Sequence, residues 1–325
     1  MTTRALTLIN NNYLTDVKSI TDELLKAYEK QLDVKDSTKK TYLNCVKKFI
    51  DYINDRDINE VTYETLIAYK SYLKEHTEII NNEVITIKHK ARAINTHLTA
   101  IKDLFKFLER KGFKNVAKDV KKEKVINNFT KDSLTTEQVK DILNSIDINT
   151  IEGARANALF RLLIGTGLRE CEVVRADVND LTTKGNTNIL KVQGKGENDK
   201  NNFVIIQPSV MRALQHYFKL RGNVKGNEPL FTSNSDRNNG QRLTTRTIQR
   251  IVKGLYADNG IVSQSITTHS TRHTAITLSI LNGANVQQAQ AMARHKDINT
   301  TMIYFHNINR LEENAESKLE QLFNS

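Results

Sequence analysis

Apolar side chains recur at steps of three and four along most of this 325-residue chain, and only 2 Pro and 13 Gly interrupt them. That spacing is one face of an amphipathic helix, and so few breakers predict long helices joined by short turns. From Lys39 the stripe runs Tyr42, Cys45, Val46, Phe49, Ile50 and Ile53. A second helix starts near Thr62 with Leu66, Tyr69 and Leu73. A third starts near Lys88 with Ile94, Leu98, Ile101, Phe105 and Leu108, and Gly112 stands where a helix-ending glycine would. An earlier helix over about 21–32 carries Leu24, Leu25 and Tyr28. Four such helices describe a small bundle whose stripes are core.

From Lys118 to Ser133 the periodicity fails, and the charged stretch KDVKKEKVINNFTKDS reads as a linker. Beyond it, Thr135 and Gln138 have capping-box spacing ahead of Val139, Ile142, Leu143 and Ile146. A helix from about Glu152 leads into GTGLRECEVV. The segment NTNILKVQGKGENDKNNFVIIQ flanks a polar turn with β-branched residues and predicts a β-hairpin. Helices resume near Pro208 and run to the end, one of them over 286–293. The expected organisation is an extension at 1–20, a helical domain at 21–117, a linker at 118–133, a second domain at 134–309 and a last helix at 310–325. That helix carries Leu311, Ala315, Leu319, Leu322 and Phe323, and must bury its stripe on its own domain or on a neighbouring subunit. The second reading is the favoured one.

The net charge is +11, which favours a polyanionic partner because each phosphate neutralised releases counterions. Lys39, Lys40, Lys88, Lys90 and Arg92 stud faces opposite the apolar stripes. They are either a solvated surface or a face laid against DNA. Cys45 and Cys171 are the only cysteines and read as buried free thiols. No run approaches the roughly 20 apolar residues of a membrane span, so no membrane partner and a cytoplasmic site are expected.

Five segments carry chemistry in order: GTGLRECE, GKG, HSTRH, RH and IYFH. Phosphodiester transfer without a metal needs cations on the non-bridging oxygens, and planar bidentate guanidiniums suit them. It also needs a hydroxyl nucleophile relieved of its proton, and a general acid for the leaving oxygen. Arg169, Arg272, Lys195, His269, His295 and Tyr304 supply that set, and Glu172 stands one helical turn from Arg169. No metal-ligand spacing competes with it, and no cofactor is expected.

These residues resemble the tyrosine recombinase or phage integrase family, which includes the Xer recombinases. There an Arg follows a Thr-Gly-Leu helix end with an acidic residue three positions on, as Arg169 and Glu172 do. Lys195 matches a hairpin lysine, and His269, Arg272 and His273 match a His-x-x-Arg motif with a following His. His295 stands nine residues before Tyr304, as in the family. There are departures. Ala293 and Arg294 replace the family's Leu-Gly, which suggests that the turn is not left-handed or that Arg294 reaches DNA. Thr268 replaces a Pro.

The resemblance implies a mainly α fold with a small β-sheet. It would be a two-domain C-shaped clamp, with a helical core-binding (SAM-like) domain and an α+β catalytic domain. It implies that Arg169 and Arg272 hold the non-bridging oxygens, with Glu172 orienting Arg169 unless the two are a plain surface ion pair. Lys195 is then the general acid, with Lys200 as its nearby competitor. His269 accepts the tyrosine proton or bonds the phosphate, and His295 donates to the phosphate. His273 supports the fold from within its helix, and Tyr304 is the nucleophile. The partners implied are double-stranded DNA with inverted half-sites, a homotetramer on DNA from a free monomer or weak dimer, and room for an accessory factor. The protein would sit with the nucleoid in the cytoplasm. A type IB topoisomerase, or a DNA-binding protein without turnover, remains an alternative.

Overall fold

The stripe that begins at Tyr42 lies on an 18-residue helix, and its buried positions are Cys45, Val46, Phe49 and Ile53. The computed structural model describes residues 17–54, 57–81, 83–125, 133–194, 197, 199–263, 265–312 and 315–323. The chain divides into two units, Met1–Asn127 and Asn128–Ser325.

The first unit holds helices α1 (Val17–Gln31), α2 (Asp36–Ile53), α3 (Tyr63–Lys74) and α4 (Ala91–Glu109). Tyr28, Phe49, Tyr69, Phe105 and Leu108 meet in one core. The Phe49 and Tyr69 rings stand edge to face, 5.0 Å apart, an arrangement aromatic quadrupoles favour. Gly112 has φ +93°, a backbone that glycine alone adopts without strain, and stops the run after α4.

Two features of this unit differ from the sequence reading. Between α3 and α4 stands an antiparallel hairpin, β1 (Glu75–Ile80) and β2 (Glu83–Lys88), where a plain joint was expected. Its β-branched residues favour strand, and Asn81 takes a left-handed φ of 52° at the turn. Lys88 therefore ends a strand and Lys90 caps α4, so neither lies in the helix body. The stretch expected to be linker from Lys118 is docked at its start. Ala117 and Val120 are buried in the core. Lys70 and Lys74 hold Glu123 at 2.8 and 3.0 Å, and Asn95 donates to the Glu123 carbonyl and accepts from its N–H.

The second unit begins with α5 (Thr136–Ser145), where Thr135 and Gln138 form the expected capping box. Next come α6 (Ile151–Thr166) and α7 (Glu170–Arg175). A three-stranded antiparallel sheet follows in the order β3 (Leu181–Lys184), β4 (Thr187–Val192) and β5 (Asn202–Ile205). The β4–β5 pair is the expected hairpin, and β3 adds a strand the sequence reading lacked. Then come α8 (Pro208–Arg221), α9 (Thr245–Asp258), α10 (Ser270–Leu281), α11 (Val286–Ala293), α12 (Asn299–Glu312) and α13 (Ala315–Phe323). Irregular chain, not helix, joins α8 to α9. Helix α6 is the hub: Ala154, Ala158, Leu159, Phe160, Leu162 and Leu163 are all fully buried. Its polar members Arg155 and Asn157 are buried as well, and Arg155 donates to the Thr232 carbonyl at 2.8 Å. The fold is thus mainly α with small sheets. Cys45 is buried, but Cys171 is only half-buried. No helix among the described residues is long and apolar enough to cross a membrane.

Candidate active site

Helix α6 ends at Gly167, whose φ of 62° turns the chain so that Arg169 caps the next helix. Glu172, at the third position of α7, accepts from the Arg169 backbone N–H at 2.7 Å and from its Nη1 at 3.0 Å. Glu172 is 1% exposed, so this is no surface ion pair. A buried carboxylate is stable only when charges and donors surround it.

Arg294 supplies the other partner. Its Nη2 donates to Glu172 Oε2 at 2.7 Å and its Nη1 to the Met292 carbonyl at 3.0 Å. Its backbone is left-handed, with φ 53° and ψ 46°, closing α11. Both expectations for this position are corrected. The turn is left-handed although no glycine is present, and the side chain points inward to Glu172. A left-handed backbone costs a residue with a Cβ roughly 1–2 kcal/mol.

Arg272, in the first turn of α10, is buried. Its Nη1 donates to the Gly167 carbonyl at 2.5 Å and its Nη2 to the Ala293 carbonyl. Those carbonyls lie at the C-terminal ends of α6 and α11, where helix dipoles place partial negative charge. Burial, together with the neighbouring Arg169 and Arg294, lowers its pKa to about 10, still protonated at neutral pH.

Tyr304 lies on α12 and is 4% exposed. Burial raises its pKa to about 12, against the lowering pull of Arg272 and Arg169. His273 Nδ1 hydrogen-bonds its hydroxyl, and the rings stack with centroids 5.6 Å apart. His273, expected to support the fold, is thus the imidazole on the phenol. His269 lies edge-on to it at 4.9 Å. His295 Nδ1 pairs with Thr301 Oγ1 at 2.8 Å. Burial, then Arg272 and Arg169, lower the His295 pKa to about 4, so its ring is neutral.

Arg169, Glu172, His269, Arg272, His273, Arg294, His295 and Tyr304 all line one open cleft of the second unit. Lys195 lies outside the described residues. Its neighbours Gly194 and Glu197 line the same cleft. Gln193 and Asn202 donate to Glu197 at 2.7 Å each. Lys200 is held by Asp177 and Asp180 at 2.7 and 2.5 Å, on ion pairs of its own. Lys40, Lys88, Lys90 and Arg92 are exposed on the first unit and Lys39 is half-exposed, with Lys88 paired to Glu75 at 2.9 Å. No cluster of three His, Cys, Asp or Glu able to hold a metal stands among the described residues. The sequence reading missed the contacts of Arg294 with Glu172, of Thr301 with His295 and of His273 with the phenol. Only the i,i+4 spacing of His269 and His273 offered a signal, since it puts both on one helix face.

The cleft of the second unit thus gathers guanidiniums and imidazoles around a phenol, a donor set that could hold an oxyanion beside the phenol oxygen. The chain belongs to the phage integrase family: residues 132–310 match the Phage integrase family and 21–112 match its N-terminal SAM-like domain. Among its relatives, the tyrosine recombinase XerC of Chlamydia caviae is 28% identical over 247 residues, covering 75% of this chain and 76% of that one. The tyrosine recombinase XerD of Listeria monocytogenes is 25% identical over 283 residues, covering 83% and 88%. The fold matches the crystal structure of the XerH site-specific recombinase bound to palindromic difH substrate, a post-cleavage complex. That match has a TM-score of 0.69 and 19% identity, covering 97% of this chain and 92% of that one.

Proposed function

We propose that this chain is a site-specific DNA recombinase that cuts and rejoins strands through a 3′-phosphotyrosine on Tyr304 and a Holliday junction. The observation that carries the reading is the convergence of Arg169, Arg272, His269, His295 and Tyr304 on one cleft of one chain.

The Tyr304 oxygen attacks the scissile phosphorus and the bond to the 5′-oxygen breaks. A second strand's 5′-hydroxyl later reverses the step and frees the phenol. With a pKa of about 12, roughly one phenol in 10⁵ is ionised at neutral pH, so the proton leaves during the attack. It passes to His273, which is hydrogen-bonded to the phenol and has His269 edge-on beside it. Arg169 and Arg272 neutralise the non-bridging oxygens. In the tautomer in which Thr301 donates to Nδ1, the neutral His295 carries its proton on Nε2 and donates to the phosphate. Lys195 protonates the leaving 5′-oxygen, because Lys200 is occupied by two carboxylates. The phosphotyrosine keeps the energy of the broken bond, so rejoining needs no ATP, and the guanidiniums take the charge that a metal would otherwise neutralise.

The partner is duplex DNA with inverted half-sites, gripped in part through Lys39, Lys40, Lys88, Lys90 and Arg92 on the first unit. Four protomers, free as monomers or weak dimers, assemble on two sites, with an accessory factor where the site demands one. Because the phenol shares a cleft with its own guanidiniums, each protomer cleaves the phosphate it holds. Leu319 and Phe323 on α13 are 54% and 78% exposed, which suits docking on a neighbouring subunit. Integration, excision and dimer resolution all use this chemistry, and DNA binding places the protein with the nucleoid. The test is a pool of nicked random-sequence duplexes. Protein covalently trapped on a subset, followed by products that join two duplexes, supports a recombinase. Relaxation of a single supercoiled circle without joining would point to a topoisomerase.

A further inference from the structure

Left-handed helix ends are places for glycine, yet Arg294 occupies one with φ 53°. What holds it there is Glu172, 122 residues away in sequence, with an Nη2 to Oε2 distance of 2.7 Å. Its side chain is 11% exposed and Glu172's is fully enclosed. The Arg294 Nε has no hydrogen-bond partner among the described residues. A buried arginine that strains its own backbone and leaves a donor unused is poorly explained as a stability device.

Charge explains it better. A carboxylate held by Arg169 alone would cancel the guanidinium that the phosphate needs. Here Glu172 is shared by two guanidiniums, Arg169 on Oε1 and Arg294 on Oε2. With Arg272 beside them, three guanidiniums face one carboxylate and leave a surplus of two positive charges. A glycine at 294 would leave one. The transition state for attack on a phosphodiester gathers added negative charge on the non-bridging oxygens, and cations already fixed around it act on that charge without reorganising.

We propose that Arg294 is a positioning residue for strand cleavage, drawing Glu172's charge away from Arg169 so that Arg169's guanidinium serves the scissile phosphate. This rests on the recombinase reading above. Arg294 acts through Glu172 and does not itself touch the DNA.

The test compares wild type with Arg294→Gly and Arg294→Lys on a nicked duplex recovered by covalent capture. The scissile group is either the natural phosphodiester or an uncharged methylphosphonate. Glycine suits the left-handed backbone, and Arg294→Asn, neutral and also tolerant of that backbone, repeats the comparison if the glycine variant is unstable. Arg294→Gly should slow adduct formation about tenfold on the phosphodiester and much less on the methylphosphonate, with Lys restoring part of the loss. Equal slowing on both substrates, or a wild-type rate on the phosphodiester, would overturn the proposal. A second readout needs no DNA. The titration midpoint of His295, held near 4 with Arg294 among the causes, should rise in Arg294→Gly when followed by NMR. An unmoved midpoint would count against it too. Failure of the wild type to form any adduct would sink the recombinase reading alone.

Discussion

Arg272 shows how backbone geometry sets up a charged side chain. Its guanidinium is fixed by the carbonyls of Gly167 and Ala293, so the chain must turn sharply at both places. Gly167 turns with φ 62°, and a Cβ there would meet Ala275 at 3.7 Å, ordinary contact. Gly167→Ala should therefore cost only the left-handed strain, about 1 kcal/mol by denaturant unfolding, without a steric clash. A loss of several kcal/mol would show that the Gly167 carbonyl had moved off Arg272. The motif residues were legible in the sequence because their chemistry and spacing are local to short segments. Arg294 was not, because the conformation of its turn depends on a carboxylate 122 residues away. The contact of His273 with Tyr304 was hidden for the same reason, since it joins α10 to α12.

At the scale of elements, the start of helix α11 was readable because Asn285 and Gln288 cap it with side chains close in sequence. The hairpin β1–β2 was not, because no hydrophobic alternation marks it. Ile79 and Val84 pair across it and are 76% and 73% exposed, and only Ile87 of β2 is half-buried. The docked start of the linker stretch escaped reading because its attachments are single residues among lysines. The carbonyls of Lys118 and Lys121, for example, accept from Lys102 and Lys70. Helix α13 carries a prediction. Leu319, Leu322 and Phe323 are exposed, so removing residues 315–325 should leave the unfolding midpoint nearly unchanged. The same truncation should weaken assembly on DNA and slow joining more than first-strand cleavage. Sedimentation of the protein–DNA complex would read the first effect. A large fall in stability would mean instead that the helix packs on its own chain.

For the whole molecule, a surplus of 11 positive charges fits a polyanionic partner, and the two units share one acid liability. His97 in the first unit and His295 in the second each have a pKa lowered from 6.5 to about 4, burial being the first cause of both. Between those values the unfolded chain binds protons that the folded chain refuses. Stability should therefore be full above pH 6.5 and fall steadily toward pH 4. Urea unfolding at pH 7.5, 6 and 5 reads that slope, and His97→Gln should flatten it for the first unit alone.

Strand cleavage by this chemistry requires that Tyr304 become covalently joined to DNA. Incubating the wild type and Tyr304→Phe with the captured nicked duplex, then resolving the products on a denaturing gel, tests it most directly. Wild type should give a slowly migrating adduct in which a peptide bearing Tyr304 carries the 3′-phosphate, and the phenylalanine variant should bind the duplex without forming it. An adduct that persists in Tyr304→Phe would rule out the Tyr304 phenol as the nucleophile.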